Sequence, residues 1–298
     1  MSAGALRIAF AGVAHSHPFA DAAHLQARGA ALVSVWDPDD PGPAARFVER
    51  FAVPSRESLA DLLADAPDAV VVTVRTHRAA EVARACAGVP AFFNKTIAAD
   101  EDGLNAWLAA ARDRHFTTSV LRFAPALERC ADMLVTERVR ALDVVAQHDI
   151  AAFLLPDRRW QDDPAGAGGT LLNIGVHAWE MLDVLLPGAR LDVLSARASR
   201  GGARTMSELV ATVHGSMDDI PVTVRVSGVP GADRYSLRAM TDRGIREIVL
   251  GDGAEALGYL GTADAVLRLA REGRPPVPGK RTRAVYANAL AAARAARG

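Results

Sequence analysis

LRIAFAGVAHSHP, residues 6–18, is an apolar run that ends in a glycine turn, followed by a proline that suits the first turn of a helix. A second apolar run, ALVSVWD (residues 31–37), ends in an acid. A strand, a glycine turn, a helix N-terminus and an acid after the second strand make up a dinucleotide-binding fold, in which the helix receives the pyrophosphate and the acid binds the ribose. The pattern therefore predicts cofactor ligands at Gly12, Ala14, His15, Ser16 and Asp37.

The glycine turn departs from the usual Gly-x-Gly-x-x-Gly pattern. The second and third glycine positions are occupied by Ala14 and His17. A Cβ at position 14 crowds the approach to a pyrophosphate, and an imidazole at position 17 must fit where helix and strand normally touch. By itself the turn is about as compatible with an ordinary strand-to-helix connection as with a nucleotide site.

Further apolar runs at 69–74, 91–93 and 116–121 alternate with helical patterns, which is typical of a doubly wound parallel sheet. We therefore predict a dinucleotide-binding domain over residues 1–121. From Arg122 onward several strands follow one another without helices, and Pro221–Ser227 alternates as a half-buried antiparallel strand does. Residues 122–298, with helices predicted at 170–186, 254–272 and 281–296, form an α+β domain with a largely antiparallel open sheet.

Composition restricts the partners that the protein can have. The 298 residues carry a formal net charge of -1, which provides no excess of cations for nucleic acid or an anionic membrane. The two cysteines, Cys86 and Cys130, fall in predicted helices and form neither a disulfide framework nor a CxxC metal site. We expect a cytoplasmic protein with a small-molecule partner, and the start of the chain resembles neither a signal peptide nor a membrane span.

Several later motifs are similar to those of one enzyme family. They are VVVTVRTH (70–77), FFNKTIA (92–98), RFAP (122–125), WQD (160–162) and GGTLLNIGVH (168–177). In their order and spacing they resemble the glucose-fructose oxidoreductase / inositol dehydrogenase / MocA family, from about residue 6 to residue 296. The resemblance implies an NAD-dependent oxidoreductase that acts on the hydroxyl or keto group of a sugar, sugar derivative or cyclitol. Separately, the antiparallel sheet of the second domain would favour a homodimer or homotetramer if it offers an exposed apolar face.

The resemblance assigns roles to particular residues. Lys95 matches the catalytic lysine, with Asn94 and Thr96 in place of the usual acid and proline. His177 becomes a candidate proton relay, and Asn173, four residues earlier, stands where the family has an aspartate. The further candidates for cofactor binding are Thr73, Arg75, His77, Asn94 and Lys95. The candidates for substrate binding are Lys95, Arg122, His148, Trp160, Asn173 and His177.

The chemistry of these residues allows more than one role for several of them. Lys95 can act as the base that takes the hydroxyl proton or hold the substrate oxygen electrostatically. We expect Lys95, Asn173 and His177 to share one pocket. The charge of Asp37 would repel a 2′-phosphate, so NAD is preferred to NADP. Arg122 could instead be structural, Trp160 could pack under its loop, and His148 could belong to a surface pair.

Two other functions compete with the redox enzyme. His15 and His17 resemble the His-x-His with which metal-dependent amidohydrolases begin, but those enzymes need eight βα units and this alternation stops after about five. A family member without turnover, acting as a ligand-binding or interaction subunit, is the stronger alternative. It is favoured by Ala14, His17, Asn173 and the Asn94/Thr96 pair.

Overall fold

The protein is described from a computed structural model over residues 4–13, 15–200, 205–229, 231 and 233–298. The chain forms two compact units. The first unit contains the residues up to 97, 102–118 and 259–279, and the second contains 98–101, 119–258 and 280–298.

The first unit is built on a five-stranded parallel sheet in the order β2-β1-β3-β4-β5. Strands buried along most of their length, such as AVVV in β3, are what a parallel sheet covered on both faces requires. The strands are β1 Arg7–Ala11, β2 Ala31–Trp36, β3 Ala69–Val72, β4 Ala91–Asn94 and β5 His115–Thr118. The helices are α1 His17–Ala27, α2 Pro41–Phe51, α3 Leu59–Ala64, α4 Ala79–Ala85 and α5 Glu101–Ala110. The predicted doubly wound sheet is confirmed.

The second unit is built on a six-stranded mixed sheet in the order β11-β10-β6-β9-β8-β7, in which only β6 and β9 pair in parallel. Its strands are β6 Val139–Gln147, β7 Leu191–Ser199, β8 Val210–Met217, β9 Ile220–Ser227, β10 Arg234–Thr241 and β11 Gly244–Val249. Its helices are α6 Pro125–Leu134, α7 Gly169–Asn173, α8 Gly175–Leu185 and α10 Gly279–Arg297. Helix α9, Tyr259–Glu272, precedes α10 in the chain. The predicted α+β unit with a largely antiparallel sheet is confirmed.

Helix α9 belongs to the first unit, although the boundary at 121/122 assigned it to the second. Its packing explains the difference, because α9 lies against α1 and β3. Ala263, Val266 and Leu269 are buried on that helix. The chain therefore returns to the first unit before it ends in the second.

The single helix predicted over 170–186 is two helices in the structure. The two helices meet at Ile174, where the amide of His177 donates to the carbonyl of Ile174 at 3.0 Å. Gly175 lies close to β9, and a Cβ there would be 3.4 Å from Val226. Asn173 ends α7 and His177 lies in the first turn of α8. The two residues thus belong to two successive helices, and their convergence on one pocket stays a prediction.

Candidate functional site

The turn after β1 can be made only by glycine. Gly12 has a φ of +87°, and a Cβ built on it would lie 2.6 Å from the Cα of Val74. The hydroxyl of Thr73 donates to the carbonyl of Gly12, which holds the ends of β1 and β3 together at the point where the strand order reverses. Ligands of open α/β sheets bind at this point. Ala14, predicted to contact the cofactor, lies outside the described residues.

The N-terminus of α1 can receive an anion. Ser16 makes no capping hydrogen bond with its side chain, and the first turn of α1 contains no acid. Helix N-termini attract phosphate because their first amides are unsatisfied and the helix dipole is positive there. This local chemistry fits the pyrophosphate of a dinucleotide.

His17 packs against the start of α9. Its ring stacks on Tyr259 at the start of α9, with centroids 5.6 Å apart. His15 meets the same imidazole edge-on at 5.3 Å. The third glycine of the usual pattern is therefore replaced by an aromatic contact with α9.

Asp37 organises the loop after β2. One carboxylate oxygen accepts the amide of Val13 at 2.7 Å, and the other accepts the amides of Asp39 and Asp40, each at 2.9 Å. Burial raises the pKa of Asp37, and these three amides oppose that rise. A carboxylate has about four acceptor positions, so the structure leaves room for a ribose hydroxyl. The aspartate turn proposed from the sequence is present as well.

Two arginines hold the same loop. Arg75 binds Asp40 at 2.9 Å and Arg78 binds Asp39 at 3.0 Å. His77 is exposed between them. For Arg75 these contacts establish a structural role, and contact of Arg75 or His77 with the cofactor stays a prediction.

Replacing Asp37 with Asn should weaken NAD binding by about one charge-assisted hydrogen bond, roughly 1.5–3 kcal/mol. It should also reduce the preference for NAD over NADP, because the negative charge that repels a 2′-phosphate is removed. Calorimetry with both nucleotides measures this preference, and Asp113→Asn, which removes the same charge at an exposed position in the turn before β5, is the control. Tighter binding of NADP than NAD by the unaltered protein would contradict the role of Asp37.

Lys95 follows β4 in a buried setting. Its exposed fraction is 9%, and Thr96 beside it has the same value. Asn94 is also buried, and its amide donates to a carboxylate oxygen of Asp21 on α1 at 3.3 Å. Asn94 thus places an amide where the resembled family has an acid. The acid next to it, Asp21, comes from α1 instead.

Sequence reasoning missed Asp21. A signal was available, because Asp21 shares one face of α1 with the buried residues Pro18, Ala22 and Leu25. Burial raises the pKa of Asp21 from 3.8 to about 7, and the hydrogen bond from Asn94 opposes this. An acid on the buried face of a helix is expensive to ionise unless it has a partner.

The contribution of Asp21 to stability should therefore fall as pH rises from about 4 to about 7. The folded protein keeps a proton on Asp21 in this range that the unfolded chain releases, so each pH unit lowers the free energy of unfolding, by at most about 1.4 kcal/mol. Asp21→Asn should remove this dependence and raise stability at about pH 8 by up to a few kcal/mol. Urea unfolding at about pH 5 and about pH 8 measures the effect. The exposed Asp113→Asn is the control, and the same pH dependence in Asp21→Asn as in the wild type would contradict the assignment.

His177 is held inside the second unit. Its exposed fraction is 4%. Its Nδ1 lies 2.5 Å from the hydroxyl of Ser119, and its ring meets Tyr235 at a centroid distance of 5.4 Å. Asn173 is also buried, and its amide donates to the carbonyl of Gln161 at 3.0 Å. Both residues are thus positioned by contacts within their own unit, and their meeting with Lys95 stays a prediction.

The other substrate candidates have local partners. Arg122 is buried and binds two carboxylates of α8, Glu180 and Asp183, each at 2.6 Å. These bonds favour its structural role. His148 lies 3.1 Å from Asp233 and 3.2 Å from the hydroxyl of Tyr235, and Trp160 is half-buried in a 3₁₀ turn. Their contact with substrate stays a prediction.

The metal-dependent alternative lacks the architecture that it needs. The first unit has five parallel strands in an open order, whereas an amidohydrolase barrel has eight. Within the described residues, no group of three or more His, Cys, Asp or Glu side chains could hold a metal ion.

Comparison with known proteins identifies the class. Residues 6–121 match the sequence model described as an oxidoreductase family with an NAD-binding Rossmann fold, GFO_IDH_MocA. No protein of curated function matches the sequence.

Solved structures share the fold of the chain. GenD2 from gentamicin A biosynthesis, solved with NAD, is 19% identical with a TM-score of 0.83, over 100% of this chain and 94% of its own. Myo-inositol 2-dehydrogenase of Lactobacillus plantarum is 14% identical with a TM-score of 0.83, over 98% and 97%. The WlbA dehydrogenase of Bordetella pertussis, solved with NADH and UDP-GlcNAcA, is 14% identical with a TM-score of 0.81, over 99% and 97%. At these identities the likeness establishes a common fold.

The first unit is therefore the NAD-binding Rossmann domain of an oxidoreductase, as the sequence predicted. Residues 6–121 of this unit match the NAD-binding domain of the glucose-fructose oxidoreductase / inositol dehydrogenase / MocA family.

Proposed function

We propose that the protein is an NAD-dependent oxidoreductase that transfers a hydride between the nicotinamide and a hydroxyl or keto group of a sugar, sugar derivative or cyclitol. The observation that carries this proposal is the family match over residues 6–121, joined to a glycine turn and an acid placed as a dinucleotide requires. Structures of similar fold include an inositol dehydrogenase and a dehydrogenase solved with a nucleotide sugar.

The residues of the chain would divide the work between cofactor and substrate. The turn at Gly12 and the N-terminus of α1 would receive the pyrophosphate, and Asp37 would bind the ribose. When bound, NAD supplies the hydride acceptor. Lys95, Asn173 and His177 would orient the reacting oxygen and move its proton, with Lys95 as base or electrostatic anchor and His177 as relay.

A redox assay separates this function from a ligand-binding subunit. The protein is mixed with NAD and a panel of sugars, sugar derivatives and cyclitols, and NADH is followed by its absorbance, while calorimetry measures NAD binding separately. Formation of NADH with one member of the panel supports the enzyme. Binding of a panel member with neither formation of NADH from NAD nor consumption of added NADH would favour the alternative subunit.

The assembly and location of the protein are part of the proposal. Met240 and Ile245, which face each other on β10 and β11, are 37% and 61% exposed. Apolar side chains on an open sheet support a homodimer or homotetramer. Light scattering after gel filtration measures the mass in solution. Two buried free thiols, Cys86 and Cys130, suit the reducing cytoplasm.

Over the part of the chain that the structure describes, no helix is both long and apolar enough to cross a membrane.

A further inference from the structure

Arg158 is a half-buried arginine in the second unit, on the segment between β6 and α7. It directly precedes the 3₁₀ turn Arg159–Gln161. Its Nε is buried and has no hydrogen-bond partner among the described residues. Burial lowers the pKa of Arg158, and the negative charge of the exposed Asp157 opposes this. The guanidinium is thus partly removed from water without a bond that compensates at Nε.

Other half-buried arginines of the chain are paired with carboxylates. Arg78 binds Asp39 at 3.0 Å, and Arg281 binds Asp183 at 2.8 Å. Arg158 takes part in none of the ion pairs that link the described residues. Withdrawing a cation from water without a partner costs free energy, so a ligand that pairs with Arg158 would explain its position.

Gln161 offers a second donor at the other end of the same turn. Its exposed fraction is 6%, and its Nε2 is buried without a hydrogen-bond partner in the described part of the chain. The backbone amide of Gln161 donates to the carbonyl of Arg158 at 3.0 Å, which closes the turn. Side chains three residues apart in a 3₁₀ turn lie above one another, so the two donors share one side of it.

The turn is fixed next to a candidate substrate residue. The side-chain amide of Asn173 donates to the carbonyl of Gln161 at 3.0 Å. The following residue, Asp162, is buried, and its carboxylate accepts the amide of Met206 at 2.6 Å and the hydroxyl of Ser207 at 2.7 Å. The donors are therefore held in place before a ligand arrives, which reduces the entropy lost on binding.

We propose that Arg158 and Gln161 bind an anionic group of the substrate, a carboxylate or a phosphate, so that the substrate is an acidic or phosphorylated sugar derivative. This inference rests on the proposed function and narrows its substrate class. A guanidinium has only donors, and its planar fork matches a carboxylate or a phosphate. A hydroxyl of a neutral sugar could accept one of these bonds but would leave the positive charge without a counter-charge. The anionic group takes no part in the transfer of hydride or proton, and it fixes the orientation of the sugar.

Binding experiments compare matched neutral and anionic probes. Calorimetry in saturating NAD uses glucose and galactose as neutral probes, and the corresponding uronates, hexose phosphates and UDP-sugars as anionic ones. We expect at least one anionic probe to bind more tightly than its parent sugar. Preference for a uronate identifies a carboxylate site, and preference for a hexose phosphate or UDP-sugar identifies a phosphate site. Failure of every anionic probe to bind more tightly than its parent sugar up to millimolar concentrations overturns the proposal.

Variants then test the two donors. Arg158→Met keeps an apolar stem and should weaken the preferred anionic probe by about 10–100-fold, the value of one hydrogen bond to a charged group. Gln161→Leu should weaken it by about two- to tenfold, the value of one neutral bond. Arg159→Met removes an exposed arginine from the same turn and is the control. Unchanged affinity in Arg158→Met, or an equal loss in Arg159→Met, overturns the proposal.

The melting temperature without sugar gives a readout that needs no ligand. Arg158→Met should melt at or above the temperature of the wild type, because it removes a buried donor that has no partner. A lower melting temperature would show that Arg158 supports the fold and would overturn the proposal.

The two proposals fail in distinguishable ways. If an anionic probe binds through Arg158 but no compound is oxidised or reduced, the anion site stands and the redox function fails. If neutral sugars or cyclitols are turned over and their acidic and phosphorylated derivatives are not, the redox function stands and the role of Arg158 is overturned.

Discussion

Replacement of Lys95 with Met should abolish NAD-dependent turnover while the protein still folds and binds NAD. General acid-base catalysis by one side chain contributes about 10²–10⁴-fold in rate, and Lys95 is the residue that the family resemblance assigns to this step. Met has an unbranched apolar side chain of similar length, which matters because Lys95 is buried, with 9% of its surface exposed. Alanine would be a less suitable replacement, because it would leave a cavity at this buried position.

The chain offers a matched control for this substitution. Of its 34 basic residues, only Lys95 and Lys280 are lysines, and Lys280 is exposed at the start of α10. Lys280→Met should retain the activity of the wild type. Initial rates of NADH formation, NAD calorimetry and melting temperature together separate a loss of chemistry from a loss of folding. Turnover by Lys95→Met within a few-fold of the wild type would remove Lys95 from the mechanism.

Lys95→Arg separates the two roles that remain open for this residue. Arginine keeps the positive charge but does not release a proton in a protein. If Lys95 is the base, Lys95→Arg should be as inactive as Lys95→Met. Clear residual turnover in Lys95→Arg alone would indicate that the positive charge anchors the substrate oxygen.

Periodicity in the sequence predicted most of the fold. The strict alternation in Pro221–Ser227 corresponds to β9 Ile220–Ser227, and the apolar run at 69–74 begins with β3. Periodicity could not predict which unit α9 joins. An apolar face shows that one side of a helix is buried, but it does not show which elements cover that side. The boundary between α7 and α8 at Ile174 was also missed, since the helical pattern continues through it.

The candidate site was predictable where local geometry fixes the residue. Gly12 is required by a positive φ and a close backbone contact, and Asp37 by the end of β2. Asp21 and Ser119 were not found, because their partners Asn94 and His177 are 73 and 58 residues away in the chain. Only the folded chain brings these pairs together.

Replacement of His177 with Gln should slow turnover by about 10²–10⁴-fold, the usual value of positioned proton transfer. Gln can donate a hydrogen bond toward Ser119 and partly fills the buried space, but its amide does not exchange a proton near neutral pH. The pH profile of kcat should therefore lose a titration that the wild type shows, whereas a packing defect alone would lower kcat at every pH equally.

His214→Gln is the control for this experiment, because His214 is exposed on β8, where its Nδ1 lies 3.3 Å from the hydroxyl of Thr223. It should leave both kcat and the pH profile unchanged. Binding of NAD by His177→Gln should equal that of the wild type, since the proposed cofactor ligands lie in the Rossmann domain. A His177→Gln variant with lowered kcat but an unaltered pH profile would show that His177 supports packing, and the proton would then have to be exchanged by Lys95 without it.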